Sequence, residues 1–110
     1  MRASRAVLWV SSAVLAVAAV NHAALASRAE GDVARHWAFV AINLGAAAIV
    51  ARAPRWAIVP IALLALQQAY SHGSDLIASI RGPGPFDWAS LGVLVFFPVL
   101  VTTLAVERRR

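Results

Sequence analysis

The sequence contains no cysteine and no lysine, and only 14% of its residues are charged. Without cysteine there can be no disulfides, thiolate metal sites or cysteine nucleophiles. The low charge excludes an ordinary water-soluble domain, in which about a quarter of the residues are charged. Because 61% of the residues are hydrophobic, we expect the excess apolar surface to face lipid, which makes the bilayer the first partner of the chain.

The motifs of common enzyme classes are missing as well. The chain has no glycine-rich phosphate loop, no His-Glu-x-x-His helix and no Gly-x-Ser-x-Gly elbow. The sequence therefore assigns no catalytic residue.

The positive charge comes from arginine alone. The net charge is +5, and the arginines lie singly or in pairs between apolar runs, with a triplet at residues 108–110. This placement is typical of membrane anchoring and not of a basic stripe along nucleic acid, so we expect no nucleic-acid partner. Abundant alanine and the use of arginine for every basic residue suggest a GC-rich bacterial genome. We therefore predict a multi-pass protein of the bacterial cytoplasmic (inner) membrane.

Four apolar runs, separated by short connections, are each near the length that crosses a bilayer. A spanning helix needs about 20 residues, so four spans leave no room for a soluble domain. We predict an all-α integral membrane protein with one membrane domain over residues 1–110. It would form a four-transmembrane-helix bundle with spans at 6–27, 36–51, 56–80 and 88–106, and Asp87 would be the N-cap of the last.

The arginine distribution predicts the orientation, because cytoplasmic loops are richer in Lys and Arg. With the N-terminus inside, the cytoplasmic side would carry seven arginines and the outer side three: Arg2, Arg5, Arg52, Arg55 and residues 108–110 against Arg28, Arg35 and Arg81. We expect both termini to be cytoplasmic.

The first run also resembles a signal peptide. Arg2 and Arg5 form a basic start, and Ala24-Leu25-Ala26 is a small-x-small cleavage pattern. The apolar run is longer than a usual signal core, so we expect it to remain as the first span; cleavage would leave three.

Polar residues within the predicted spans concentrate toward the outer side and along the third helix. At 100° per residue, six polar side chains of that helix fall in one arc of about 140°: Gln67, Gln68, Ser71, His72, Asp75 and Ser79. Such groups are costly in lipid, and two explanations are open. They either fix the packing of the helices by hydrogen bonding, or they line a pocket.

A pocket would contain groups suited to several ligands. We predict His22, His72, Asn21, Gln68 and Asp75 as cofactor- or ligand-binding residues, for haem, a quinone or a lipid headgroup. A divalent metal would use His22, His36 and His72.

Two glycines carry structural predictions. Gly73, followed by Ser74-Asp75, either breaks the third helix or permits close packing. Gly45 and Ala41 form a candidate small-residue helix contact.

The function predicted first is a non-enzymatic helical bundle that self-associates as a homo-oligomer or is accessory to a partner membrane protein. The alternative is a membrane-embedded cofactor or ligand binder.

Overall fold

The structure, a computed structural model, describes residues 2–110. It is all-helical, as predicted. Contacts divide the chain after Pro54 into two compact units, the second being Arg55–Arg110, and each unit is an antiparallel helical hairpin. The helices are α1 (Ala3–Ser27), α2 (Val33–Arg52), α3 (Ile58–Arg81) and α4 (Trp88–Arg108), with a 3-10 turn at Arg55–Ala57 before α3.

The loop of the first hairpin is short and defined at both ends. The N–H of Glu30 bonds to the carbonyl of Leu25, and Ala29, with φ of 53°, bonds to Ala26. This is a Schellman ending, which requires a left-handed residue after the helix. Asp32 then caps α2, because its carboxylate accepts from the N–H of Arg35 at 3.0 Å. α2 therefore begins at Val33, three residues before its predicted start.

Buried residues in the first hairpin recur at helical spacing on one face of each helix. On α1 they are Leu8, Ser11, Leu15, Ala19 and Ala26. On α2 they are Asn43, Ala46, Ala47 and Val50. The predicted contact through Ala41 and Gly45 is wrong: both residues are exposed, and a Cβ built on Gly45 would meet nothing within 4 Å. The small side chains on the buried face of α2 are instead those of Ala46 and Ala47, which directly follow Gly45.

The second hairpin buries fewer residues, and several of them lie toward the C-terminal end of α4. Ile61 of α3 and Phe97, Leu100 and Leu104 of α4 are almost fully buried. Asp87 is the N-cap of α4, as predicted, and accepts from the N–H of Ser90.

α3 continues through Gly73 without a break, and a Cβ at that position would also meet nothing within 4 Å. Neither explanation offered for Gly73, a helix break or close packing, is supported by the structure.

Within residues 2–110, three helices are long and apolar enough to cross a membrane: α1, α2 and α4. α3 is as long as these but less apolar, because Gln67, Gln68, His72 and Asp75 interrupt its middle and second half. The prediction of four apolar spans thus holds for α1, α2 and α4. It is too strong for α3, where the polar side chains lower the hydropathy.

The four tryptophans lie near helix ends. Trp9 and Trp56 lie toward the ends remote from the hairpin loops, whereas Trp37 and Trp88 lie in the turns that follow those loops. Each is about half exposed or more. In helices that cross a membrane, tryptophan near the ends is typical of interfacial aromatic belts.

Candidate functional site

Three polar contacts connect α1 and α2 along the length of the first hairpin. The Arg5 guanidinium donates to the Ala51 carbonyl at 3.0 Å, in the last turn of α2, where carbonyls lack helical partners and a cation is favoured. Further along, the Ser12 hydroxyl donates to the carbonyl of Ala47 at 2.8 Å. Beside the loop, His22 meets His36. These contacts fix the register of the two antiparallel helices.

Near the loop of this hairpin, the titratable side chains of His22 and His36 are in direct contact. The Nδ1 atoms of His22 and His36 are 2.9 Å apart, and the ring centroids are 5.2 Å apart with the planes inclined by 42°. His22 also stacks on the Phe39 ring at 5.4 Å, and the Arg35 guanidinium lies 5.6 Å from the centroid of that ring. Two imidazoles, one from each helix, are therefore held with their Nδ1 atoms facing each other.

In the second hairpin, a chain of hydrogen bonds connects α3 to the start of α4. His72 Nδ1 is 2.9 Å from Ser90 Oγ, and the Ser90 hydroxyl donates to Asp87 Oδ2 at 2.6 Å. The Ser90 N–H donates to the other carboxylate oxygen. A hydroxyl has one proton, and here it goes to the carboxylate. His72 Nδ1 must therefore carry a proton and donate it to Ser90, which in a neutral ring leaves Nε2 as an acceptor.

The same contacts act on the Asp87 carboxyl. The hydrogen bonds from the Ser90 hydroxyl and N–H hold the pKa of Asp87 below its ordinary value, and the neighbouring His72 lowers it further. Serine lies between histidine and aspartate, whereas a nucleophilic triad places histidine in the middle. Ser90 therefore positions the imidazole and is not an activated nucleophile.

Farther from the loop, the second hairpin opens into a cleft of about 370 Å³. Alanines on α3 and the segment of α4 around Pro98 leave this gap. Its lining is Ala62, Ala65, Leu66, Ala69, Val93, Leu94, Phe97, Pro98 and Val101. None of these side chains can bond to a polar headgroup or coordinate a metal.

The predicted ligand-binding residues have different contacts. Asn21 and Asp75 are exposed, and Gln68 donates to its neighbour Gln67 at 2.6 Å. His22 and His72 each bond within their own hairpin. Their predicted pairing in one site stays a prediction.

The structure brings together two of the three predicted metal ligands. His22 and His36 converge, whereas the third predicted ligand, His72, belongs to the other hairpin. Within residues 2–110, neither hairpin gathers three His, Asp or Glu side chains that could hold a metal ion.

Sequence reasoning missed Ser90 as the partner of His72. A signal for its contact with Asp87 was present, because an aspartate N-cap accepts from the N–H of the residue three positions on, which places the Ser90 side chain beside the carboxylate. The link from Ser90 to α3 could not be predicted, since it depends on the register of the hairpin.

Comparison of the chain with known protein families, with curated proteins and with solved structures gives no match.

Proposed function

We propose that this chain is a non-enzymatic integral membrane protein of the bacterial cytoplasmic membrane, crossing it four times with both termini in the cytoplasm. Within the membrane it forms a helical bundle that self-associates or serves as an accessory to a partner membrane protein. The observation that carries this role is that the His, Ser and Asn side chains with described hydrogen bonds in residues 2–110 have their partners within their own hairpin, while the cleft of the second hairpin is lined by apolar side chains.

Three apolar helices support the membrane assignment directly. The less apolar α3 is included because it lies antiparallel beside α4 over most of its length. Ala62 and Val101 line one end of their shared cleft, and His72 meets Ser90 nearer the loop. If α4 crosses the membrane, α3 crosses with it, with His72 satisfied by its partner helix.

Hydrogen bonding supports a structural role for the polar groups. Buried Asn43 donates to the Phe39 carbonyl of its own helix, and the Ser79 hydroxyl bonds to the Leu76 carbonyl and to the Asp87 N–H. Among residues 2–110, no buried side-chain nitrogen or oxygen is without a hydrogen-bond partner. Groups that are already satisfied have little capacity left for a polar substrate.

A test of this role combines His72→Gln with a visible absorption spectrum of the purified protein. Glutamine retains a donor for Ser90, so the free energy of unfolding should fall by about 0.6 kcal/mol or less, the average for polar pairs in membranes. Gln68→Ala, which removes only a bond to the adjacent residue, is the control.

The absorption spectrum of the purified protein should show no cofactor band. The particle mass in detergent separates a homo-oligomer from a monomeric accessory subunit. A Soret band that His72→Gln abolishes would contradict the proposal.

The second candidate, a membrane-embedded binder of haem, a quinone or a lipid headgroup, is favoured by one observation. The Ser90–Asp87 pair holds the Nδ1–H of His72, which is how histidine ligands are commonly oriented toward a cofactor through the other nitrogen. This candidate predicts that His72→Gln removes binding without unfolding the bundle, and that Asp87→Asn weakens binding through the same contacts.

A further inference from the structure

We propose that His22 and His36 form a two-histidine site for a divalent transition-metal ion at the loop end of the first hairpin. The site uses only residues of α1 and α2, so it stands or falls independently of the role proposed for the chain.

The first argument is the distance between the two nitrogens. Imidazole nitrogens lie about 2.0–2.1 Å from Zn²⁺, so two of them in a tetrahedral site are about 3.3 Å apart. The Nδ1 atoms of His22 and His36 are 2.9 Å apart. An increase of about 0.4 Å in this distance, with each ring turned so that its lone pair leaves the line between the two nitrogens, would let both lone pairs point to one ion.

The second argument is that both rings are already positioned. His22 is stacked on Phe39 with the ring planes 21° apart. His36 is bounded by the loop, which passes so close that a Cβ built on Gly31 would lie 3.2 Å from the Nε2 atom of His36. Gly31 has φ of 67°, which favours glycine. Rings held in this way lose little conformational freedom on binding an ion, and this favours chelation.

The donor set indicates the class of ion. Two imidazoles without thiolate suit Cu²⁺, Ni²⁺ and Zn²⁺, and the general order of affinities places Cu²⁺ first. The chain supplies two ligands, so water completes the coordination. The alternative state of the pair is a simple hydrogen bond, in which one ring donates its Nδ1 proton and the other accepts.

The site can be tested by titrating tag-free protein in detergent with CuCl₂ and with ZnCl₂, followed by calorimetry. We expect one ion per chain, bound more tightly for Cu²⁺. His22→Gln and His36→Gln should each weaken binding by about tenfold or more, since losing even an outer partner of a metal ligand costs about 10–100-fold. His72→Gln, which changes the histidine of the other hairpin, is the matched control and should leave the affinity unchanged.

Electron paramagnetic resonance of the Cu²⁺ complex identifies the ligands in the wild-type protein itself, without requiring a variant to fold. The wild-type spectrum should show coupling to two imidazole nitrogens, and each folded single variant should retain one at most. The proposal is overturned if neither ion binds the wild type, if the spectrum shows no imidazole nitrogen, or if folded His22→Gln and His36→Gln variants bind as tightly as the wild type. It is equally overturned if His72→Gln abolishes binding.

Discussion

At the scale of single residues, polar side chains connect helices that have little hydrophobic reason to associate in lipid. Apolar side chains gain almost nothing by leaving lipid for another helix, so packing and interhelical hydrogen bonds make the difference. Ser12 is the clearest case, because its hydroxyl crosses from α1 to the Ala47 carbonyl of α2. Ser74, by contrast, bonds to the Tyr70 carbonyl of its own helix.

Replacing Ser12 by alanine should lower the free energy of unfolding by about 0.6 kcal/mol, with a ceiling near 1.7 kcal/mol, because one interhelical bond is lost. Ser74→Ala is the control and should cost less, since it removes no contact between helices. Denaturant titration of both variants in one detergent measures the difference. A larger loss for Ser74→Ala would mean that Ser12 does not hold the hairpin together.

Asp87 provides a prediction about pH. Its pKa is lowered in the folded protein by the bonds from Ser90 and the proximity of His72. The stabilisation from the ionised carboxylate is therefore present above the unfolded-state pKa and is lost as the pH falls through the lower folded-state pKa. Asparagine can cap the helix without a charge. Thermal unfolding between neutral and strongly acidic pH should thus show a smaller decrease for Asp87→Asn than for the wild type.

The control for this measurement is Asp75→Asn, at an exposed aspartate of the same hairpin. Its effect on the difference between neutral and acidic pH should be smaller than that of Asp87→Asn, because Asp75 caps no helix. If Asp87→Asn preserves the full pH dependence, the network around Ser90 does not stabilise the fold.

At the scale of helices, the sequence predicts existence and type better than boundaries and faces. Apolar runs and the loop residues between them indicate all four helices. The predicted start of the second span at residue 36 is three residues late, because the helix begins directly after its cap, Asp32. Which of the other two predicted metal ligands meets His22 was not predictable from one helix at a time. It follows from the register of the hairpin, which Ser12 and Arg5 help to set from the other end.

Gly45 and Ala46 test which face of α2 packs in the hairpin. Gly45→Leu should be tolerated, since a side chain there meets open space and leucine favours helix over glycine. Ala46→Leu should lower the free energy of unfolding by about 1–3 kcal/mol, because it adds bulk at a buried position. Thermal unfolding of the two variants in the same detergent compares them. The opposite order would show that Gly45 belongs to a helix contact after all.

At the scale of the whole molecule, the central claim is a four-span protein with cytoplasmic termini. The arginine distribution and the tryptophan positions support it, and α3 is its most demanding part, because its polar stripe leaves it less apolar than the other helices. The number of spans decides on which side of the membrane the C-terminus lies. It therefore decides the orientation of every site discussed above.

Cysteine labelling in intact cells tests this claim most directly, since the chain has no native cysteine. Three single variants are treated with a membrane-impermeant maleimide: Gly84→Cys in the α3–α4 loop, Arg110→Cys at the C-terminus and Leu63→Cys on the exposed side of α3. We predict labelling of Gly84→Cys in intact cells, of Arg110→Cys only after permeabilisation, and of Leu63→Cys in neither condition. Labelling of Arg110→Cys in intact cells, or of Leu63→Cys in either condition, would contradict the four-span account.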